Sequence, residues 1–452
     1  MSKNLTDIFA STLYELANSE FPEEVVREAR LCLLDYLGPI LGGSSMLKPQ
    51  LTEYLDMQPE VTNGVTLVGM GGRKASLQNA GMVNGMFGHV LELDDGHRFS
   101  TVHLAATTIP PLLAVGEWFN LSMEDLIRGI IIGYETSVRL GRALQPAHRA
   151  RGFQSSGTLG TVGATMAVAA ALKFDLEHMT AALAAATSSA GGNNEMIKNV
   201  STMKAYNVGR ACQDGISAAL IAKVGFRGPY DPMNGTFGWM NAMAEKWDGS
   251  GLDIANDPGW NIMGAYHKPY ASCRHTHAAV EGAFMIRKEH GIRHEDVADV
   301  KVRMYGQGVA GHEDVVVPSV LAGKQSTPFC IALALRDGSV GISAFDEGKL
   351  TDPEIRRLSA CTHLHADEEM TKMVPRKRSA EVTITLKDGT AYTAMADHPK
   401  GEPEFPMTVE DYIVKFHELA AMGGKSQAER DEIIDMAMNF NGSVRELMTK
   451  LQ

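Results

Sequence analysis

Residues 157–190 read GTLGTVGATMAVAAALKFDLEHMTAALAAATSSA, a stretch dominated by Ala, Gly, Thr and Ser. β-Branched residues do not alternate in it, so sheet is disfavoured, and its small side chains let helices approach closely. A tightly packed helical core is the reading. Gly157, Gly160 and Gly163 fall three apart on one helix face, which suits close packing rather than a cofactor loop. Working toward the N-terminus, Ser122 followed by Asp125 predicts a capping box opening an apolar run through Ile132. Further back, Pro22 precedes Glu23 and Glu24, where a missing N–H is harmless and negative charge suits the helix dipole. Val26, Ala29, Leu33 and Leu34 then recur at helical spacing.

Near residue 297 the period changes from helical to alternating. Val300, Val302 and Met304 alternate with charged neighbours, and Val382, Ile384 and Leu386 with polar ones, as half-buried strands do. Lys387-Asp388-Gly389-Thr390 predicts a hairpin after Leu386. Asp352-Pro353 with Glu354 opens a helix between the strands. Lys400-Gly401-Glu402-Pro403 marks a crossing, after which Thr408 and Asp411 cap a helix carrying Ile413, Val414, Phe416 and Leu419. The expected organisation is a mainly α protein: a helical domain over 1–264, an α+β domain over 265–403, and helices over 404–452 that complete the first domain.

Composition narrows the function classes. The 452 residues are 44% hydrophobic and 21% charged, which fits an ordinary folded protein and excludes collagen-like or disordered character. Lys+Arg 42 against Asp+Glu 54 gives a net charge of -12, which repels nucleic acid and anionic membrane. An anionic substrate would therefore need a local cationic pocket. Cys32, Cys212, Cys273, Cys330 and Cys361 are scattered and odd in number, without a C-x-x-C pair, so neither a disulfide framework nor a zinc ribbon is expected. The N-terminal MSKNLTDIFASTLYEL has no basic segment leading into an apolar core. A cytoplasmic protein is expected.

The densest polar cluster is His89-Val-Leu-Glu92-Leu-Asp94-Asp95-Gly-His97, with His103 following. Imidazole and carboxylate suit a divalent metal, yet no spacing reproduces a ligand box such as H-E-x-x-H. Acid/base catalysis and helix capping stand beside the metal reading. Lys204, in Ser201-Thr202-Met203-Lys204-Ala205-Tyr206, is either a snorkelling or a functional lysine. Lys268-Pro-Tyr-Ala-Ser-Cys273-Arg274-His275-Thr276-His277 is a compact basic run suited to holding a carboxylate. Pro375-Arg376-Lys377-Arg378 reads as a solvated loop. No G-x-x-x-x-G-K-[ST] or G-x-S-x-G occurs, and Gly69-Met-Gly71-Gly72 lacks a βαβ context. A nucleotide or covalent serine mechanism is disfavoured.

The chain resembles the MmgE/PrpD family, which includes 2-methylcitrate dehydratase, cis-aconitate decarboxylase and iminodisuccinate epimerase. The resemblance rests on Asn84-Gly85 with His89 and Glu92-Leu-Asp94-Asp95, His103 with Pro110, Pro111 and Glu117, and Gly133-Tyr134-Glu135. It continues through Arg151-Gly152-Phe153, Lys204 with Gly209 and Gly215, Lys268 to His277, and Lys400-Gly401. It implies a large helical domain with an inserted α+β lid domain, a homodimer, and a site between the domains that takes small di- or tricarboxylates without nucleotide and generally without metal.

Carried over residue by residue, the resemblance implies His103, Lys204, Lys268, Glu92 and Asp94 as catalytic residues. Asp95, Gln154, Arg274 and His277 are the implied substrate-binding residues. Two departures stand out: Glu92 replaces the commoner Asp, and Gln154 replaces the commoner His and cannot shuttle a proton near neutral pH. The implied chemistry is proton abstraction next to a carboxylate, with His103 as base or acid and an ammonium stabilising the developing charge. A metal-independent, 2-methylcitrate-dehydratase-like lyase without cofactor is the first expectation. A carbon-acid epimerase and a cis-aconitate-type decarboxylase follow within the family. A metal-dependent hydrolase on His89, Asp94, Asp95 and His103 and a non-catalytic carboxylate binder are the readings outside its chemistry.

Overall fold

A computed structural model describes residues 4–197 and 202–452. The chain folds as two compact units, Met1–Ala265 with Thr408–Gln452, and Tyr266–Met407. Helix makes up 59% and strand 9%, so the protein is mainly α with a smaller α+β region.

The first unit begins with α1 (Leu5–Asn18), α2 (Glu23–Asp56), α3 (Leu77–Val90), α4 (Leu104–Phe119) and α5 (Met123–Leu144). It continues with α6 (Ser155–Ala171), α7 (Leu176–Ser189) and α8 (Met203–Lys223). The small-residue stretch forms most of α6 and α7, and every residue of α6 is buried. A Cβ at Gly160 would stand 2.7 Å from the Thr107 side chain on α4, and one at Gly163 2.0 Å from Ser137 Oγ on α5. These glycines serve helix contact, as their spacing predicts. The Ser122 capping box is formed: Ser122 Oγ accepts from Asp125 N at 3.1 Å, and Ser122 N donates back to Asp125 Oδ2 at 3.4 Å.

In the second unit α9 (His277–His290), α10 (Thr327–Asp337) and α11 (Pro353–Ala360) accompany a four-stranded sheet. The strands are β1 (Val297–Met304), β2 (Thr362–Ala366), β3 (Ala380–Leu386) and β4 (Ala391–Ala396), in spatial order β2-β1-β3-β4. β1 runs parallel to β2 and antiparallel to β3, with Val302 opposite Val382, and β3 pairs antiparallel with β4. Val300, Val302, Met304, Val382 and Ile384 are buried, so the alternation marks the inward face. The hairpin closes through Leu386 N to Thr390 O at 2.7 Å, with Gly389 at φ +86, a conformation that Asp-Gly supplies cheaply.

Three helices end the chain in the first unit: α12 (Val409–Met422), α13 (Gln427–Met438) and α14 (Val444–Lys450). Thr408 and Asp411 form the capping box of α12, which packs on α2. Among the described residues no helix is long and apolar enough to cross a membrane.

Candidate active site

The segment between α3 and α4 gathers the polar cluster. His89 lies in the last turn of α3, and His103 is the residue from which α4 springs. The chain between them contains two non-glycine residues at positive φ, Glu92 at +59 and Thr101 at +56, a cost seen where surrounding contacts over-determine the backbone.

Asp94 is the hub. Its Oδ2 lies 2.8 Å from His89 Nδ1 and 2.9 Å from His103 Nδ1. Burial alone would raise the Asp94 carboxyl, but the two imidazoles hold it well below the usual carboxylate range. His103 Nδ1 also faces the Asp95 backbone carbonyl at 3.1 Å. Two oxygen acceptors at one nitrogen assign the proton to Nδ1, and the other nitrogen, Nε2, is left with its lone pair. Burial pushes His103 down to about 4, partly opposed by Asp94 and aided by the charges of His89 and Lys204. His103 is therefore a neutral base at neutral pH, with its side chain 16% exposed.

Lys204 enters from the first turn of α8, and its Nζ donates to Glu92 Oε1 at 2.5 Å and Oε2 at 2.7 Å. Ser201, which heads the Ser-Thr-Met-Lys segment, lies outside the described residues. Gln154 caps α6: its Oε1 accepts from Gly157 N at 2.9 Å and from Asn207 Nδ2 of α8 at 3.0 Å. The hydroxyl of Ser156, two residues on, accepts from His103 N at 3.2 Å. His89, Asp94 and His103 form one hydrogen-bonded network, and the Lys204–Glu92 pair stands close enough for the lysine charge to act on His103.

Asp95 is placed to hold the frame. It is buried, its Oδ1 accepts from Ala105 N in the first turn of α4 at 2.8 Å, and its Oδ2 accepts from Tyr134 Oη at 2.6 Å. Sequence reasoning missed Tyr134, Asn207 and Lys415 as partners. Lys415 of α12 donates to Asp35 Oδ1 at 2.6 Å and to Leu93 O at 2.8 Å, and so pins the residue before Asp94. The only signal for it was a lysine on the otherwise apolar face of α12.

Lys268, Arg274 and His277 belong to the second unit and are all buried there. Arg274, read from the sequence as part of a basic run suited to holding a carboxylate, has its charge paired inside the second unit. Its guanidinium donates to Glu402 Oε1 at 2.9 Å, to His277 Nδ1 at 2.9 Å and to Lys400 O at 3.1 Å. A buried guanidinium requires a counter-charge, and Glu402 supplies it. His277, accepting at Nδ1, has its Nε2 3.2 Å from Ser272 O, so both ring nitrogens are engaged. The solvated-loop reading of Pro375–Arg378 is also corrected in part: Arg376 is exposed, but Arg378 turns inward with its guanidinium carbon 5.9 Å from the Tyr266 ring centroid.

His89, Asp94 and His103 place potential ligand atoms within 4.8 Å of one another, the arrangement a metal reading needs. Here both rings aim Nδ1 at one carboxylate oxygen at hydrogen-bond distances, so these nitrogens act as N–H donors, not as lone-pair ligands. The donor set in this arrangement suits proton chemistry.

Comparison with known proteins gives the family of the chain. Residues 7–250 match the MmgE/PrpD N-terminal domain, and residues 270–439 match the MmgE/PrpD C-terminal domain. The chain is 24% identical over 435 residues to the cis-aconitate decarboxylase of Mus musculus, covering 93% of this chain and 88% of that protein. It is 23% identical over 432 residues to the cis-aconitate decarboxylase of Homo sapiens, covering 93% and 89%. The cis-aconitate decarboxylase of Aspergillus terreus is 24% identical over 457 residues, covering 94% and 91%.

Proposed function

The chain belongs to the MmgE/PrpD family, and from that premise we propose that it is a lyase acting on a small di- or tricarboxylate through proton transfer at a carbon beside a carboxylate. The observation that carries the reading is His103, held by Asp94 at 2.9 Å in the tautomer that leaves Nε2 as a base. When Nε2 takes the proton, the imidazolium forms against the ionised Asp94, which stabilises it. The ammonium of Lys204 is neutralised by Glu92 at rest. An arriving carboxylate competes with Glu92 for that cation and places negative charge where the carbon acid will develop more. Lys268 is kept, on the family resemblance, as a further carboxylate-holding cation.

Within this class, the first reading is dehydration of a hydroxylated substrate of the 2-methylcitrate kind. There the C–H electron pair becomes the alkene and the β-hydroxyl leaves as water. The names of the relatives favour a second reading, loss of CO₂ from an unsaturated tricarboxylate. Dehydration uses His103 as the base that takes the carbon-bound proton, whereas decarboxylation needs a proton delivered to the carbon that loses CO₂, a step for an acid.

The test is incubation in D₂O with 2-methylcitrate, citrate, cis-aconitate, malate and aspartate derivatives, followed by NMR. Deuterium beside a carboxylate with an alkene product supports dehydration, and deuterium with CO₂ release supports decarboxylation. Inversion without elimination would assign an epimerase. Silence of the folded protein across the panel would overturn the lyase reading. Turnover that chelation abolishes and one ion restores would return His89, Asp94 and His103 to a metal role.

A further inference from the structure

The second unit contains a nucleophile and base pair that the proposed chemistry does not use. Cys273 Sγ lies 4.0 Å from His312 Nε2. His312 Nδ1 lies 2.6 Å from the backbone carbonyl of Gln325, which assigns the proton to Nδ1 and turns the lone pair of Nε2 toward the sulfur. Cys273 and His312 are each half-buried, so small reagents have a route to the thiol. The His275 ring stands 5.2 Å from that of His312, and its Nδ1 is 2.7 Å from Tyr305 Oη. A thiol, an imidazole facing it and a carbonyl that orients the imidazole are the parts of an activated cysteine.

We propose that Cys273 is a reactive thiolate paired with His312, and that it is a site of modification by hydroperoxides and soft electrophiles. The reaction with a hydroperoxide balances without a cofactor. The thiolate attacks the terminal hydroxyl oxygen, the S–O bond forms as the O–O bond breaks, and sulfur is oxidised to sulfenic acid. The peroxide is reduced to an alcohol or water, whose alkoxide or hydroxide takes the proton from His312.

The surrounding groups agree with a thiolate. Cys273 N donates to the Lys324 carbonyl at 2.8 Å, Lys324 and Cys273 both act on Cys330, Arg378 and Cys273 both act on Tyr305, and Glu313 acts on His312, while Arg274 is already paired with Glu402. Burial alone would push His312 down, but Cys273 and the Gln325 carbonyl hold it above its ordinary value. Tyr305 is raised by burial and stays protonated. The other cysteines are poor competitors: Cys32, Cys212 and Cys330 are buried, with Cys330 pushed up to about 12, and half-buried Cys361 is also raised by burial. Cys361 is thus an internal control of matched exposure.

The proposal does not rest on the lyase reading. Its test is iodoacetamide alkylation of the full-length protein from pH 5.5 to 9.5, with each cysteine quantified by peptide mass spectrometry. Cys273 is expected to titrate below about 8.5, the ordinary thiol value, and to react about tenfold faster than Cys361 at pH 7. His312→Gln should move the Cys273 profile upward and remove the tenfold advantage. A Cys273 profile at or above the ordinary value, or superposable wild-type and H312Q profiles, would overturn the pairing. The wild-type profile decides alone should H312Q not fold. Hydrogen peroxide followed by dimedone should label Cys273 ahead of Cys361, and equal or absent labelling would overturn the oxidation step.

Discussion

Asp94 Oδ2 accepts from His103 Nδ1 at 2.9 Å while the same oxygen accepts from His89 at 2.8 Å, so one buried carboxylate fixes the tautomer of two imidazoles. It is a positioning group as well as a charge. Among the described residues, Asp94 Oδ1 and His89 Nε2 are buried without hydrogen-bond partners, which concentrates the network on the single shared oxygen.

Asp94→Asn should therefore lower kcat/KM by about 10²–10⁴-fold with little change in KM, because the amide no longer enforces Nδ1–H or stabilises the imidazolium. Asp94 raises the His103 pKa, so its removal leaves His103 still more fully neutral. Higher pH should then give no rescue in steady-state kinetics. A rate recovered by raising the pH would show that only protonation had changed.

His103→Gln should abolish turnover and deuterium incorporation while circular dichroism and the melting temperature stay near wild type. In the wild-type enzyme, the acid limb of kcat/KM for the base form should lie near pH 4, where His103 is protonated, and not near 6.5. A variant of near-normal rate removes His103 from the mechanism.

Stability should respond to acid through two histidines. Burial pushes His103 and His148 down from 6.5 to about 4. Between those values the unfolded chain binds more protons than the folded one, so stability falls as pH drops from about 6.5 to 4, by up to about 3 kcal/mol per histidine. Above that window these groups give no pH dependence. Urea unfolding at pH 4.5 and 7.5 checks the slope, and His148→Gln should flatten part of it.

Much of the architecture was legible because its causes are local. Ser122 with Asp125, Thr408 with Asp411, the Asp388-Gly389 turn and the alternation of Val300, Val302 and Met304 each act within a few residues. The site's framework was not legible, because its partners are distant in sequence. Tyr134 meets Asp95 across 39 residues, Asn207 meets Gln154 across 53, and Lys415 meets Leu93 across 322. Nothing in the run from Lys268 to His277 announces Glu402, which neutralises Arg274 from 128 residues away.

Gln154 tests whether a helix cap can also select substrate. Gln154→Ala should cost about 1 kcal/mol, since Gly157 N loses its side-chain acceptor at the start of α6 and keeps only the Gln154 carbonyl at 3.2 Å. Gln154→His should retain folding and change the relative kcat/KM among the carboxylates of the panel by more than fivefold. If Q154H leaves those ratios unchanged, Gln154 acts only as cap and packing.

Glu402→Gln isolates the charge on Arg274. The pair is buried, with side chains 4% and 3% exposed, and the guanidinium also meets the His277 ring, the carbonyls of Lys400 and His267 and the face of the Tyr266 ring at 4.7 Å. Replacing the carboxylate by an amide keeps the shape but leaves a desolvated cation, which should destabilise the second unit by about 3–5 kcal/mol. Glu402→Gln with Arg274→Met removes both charges and should recover a large part of that loss. Denaturant unfolding of the single and double variants measures the coupling. Additive losses would mean that Glu402 is not the counter-charge, and that the basic run keeps its cation for a ligand after all.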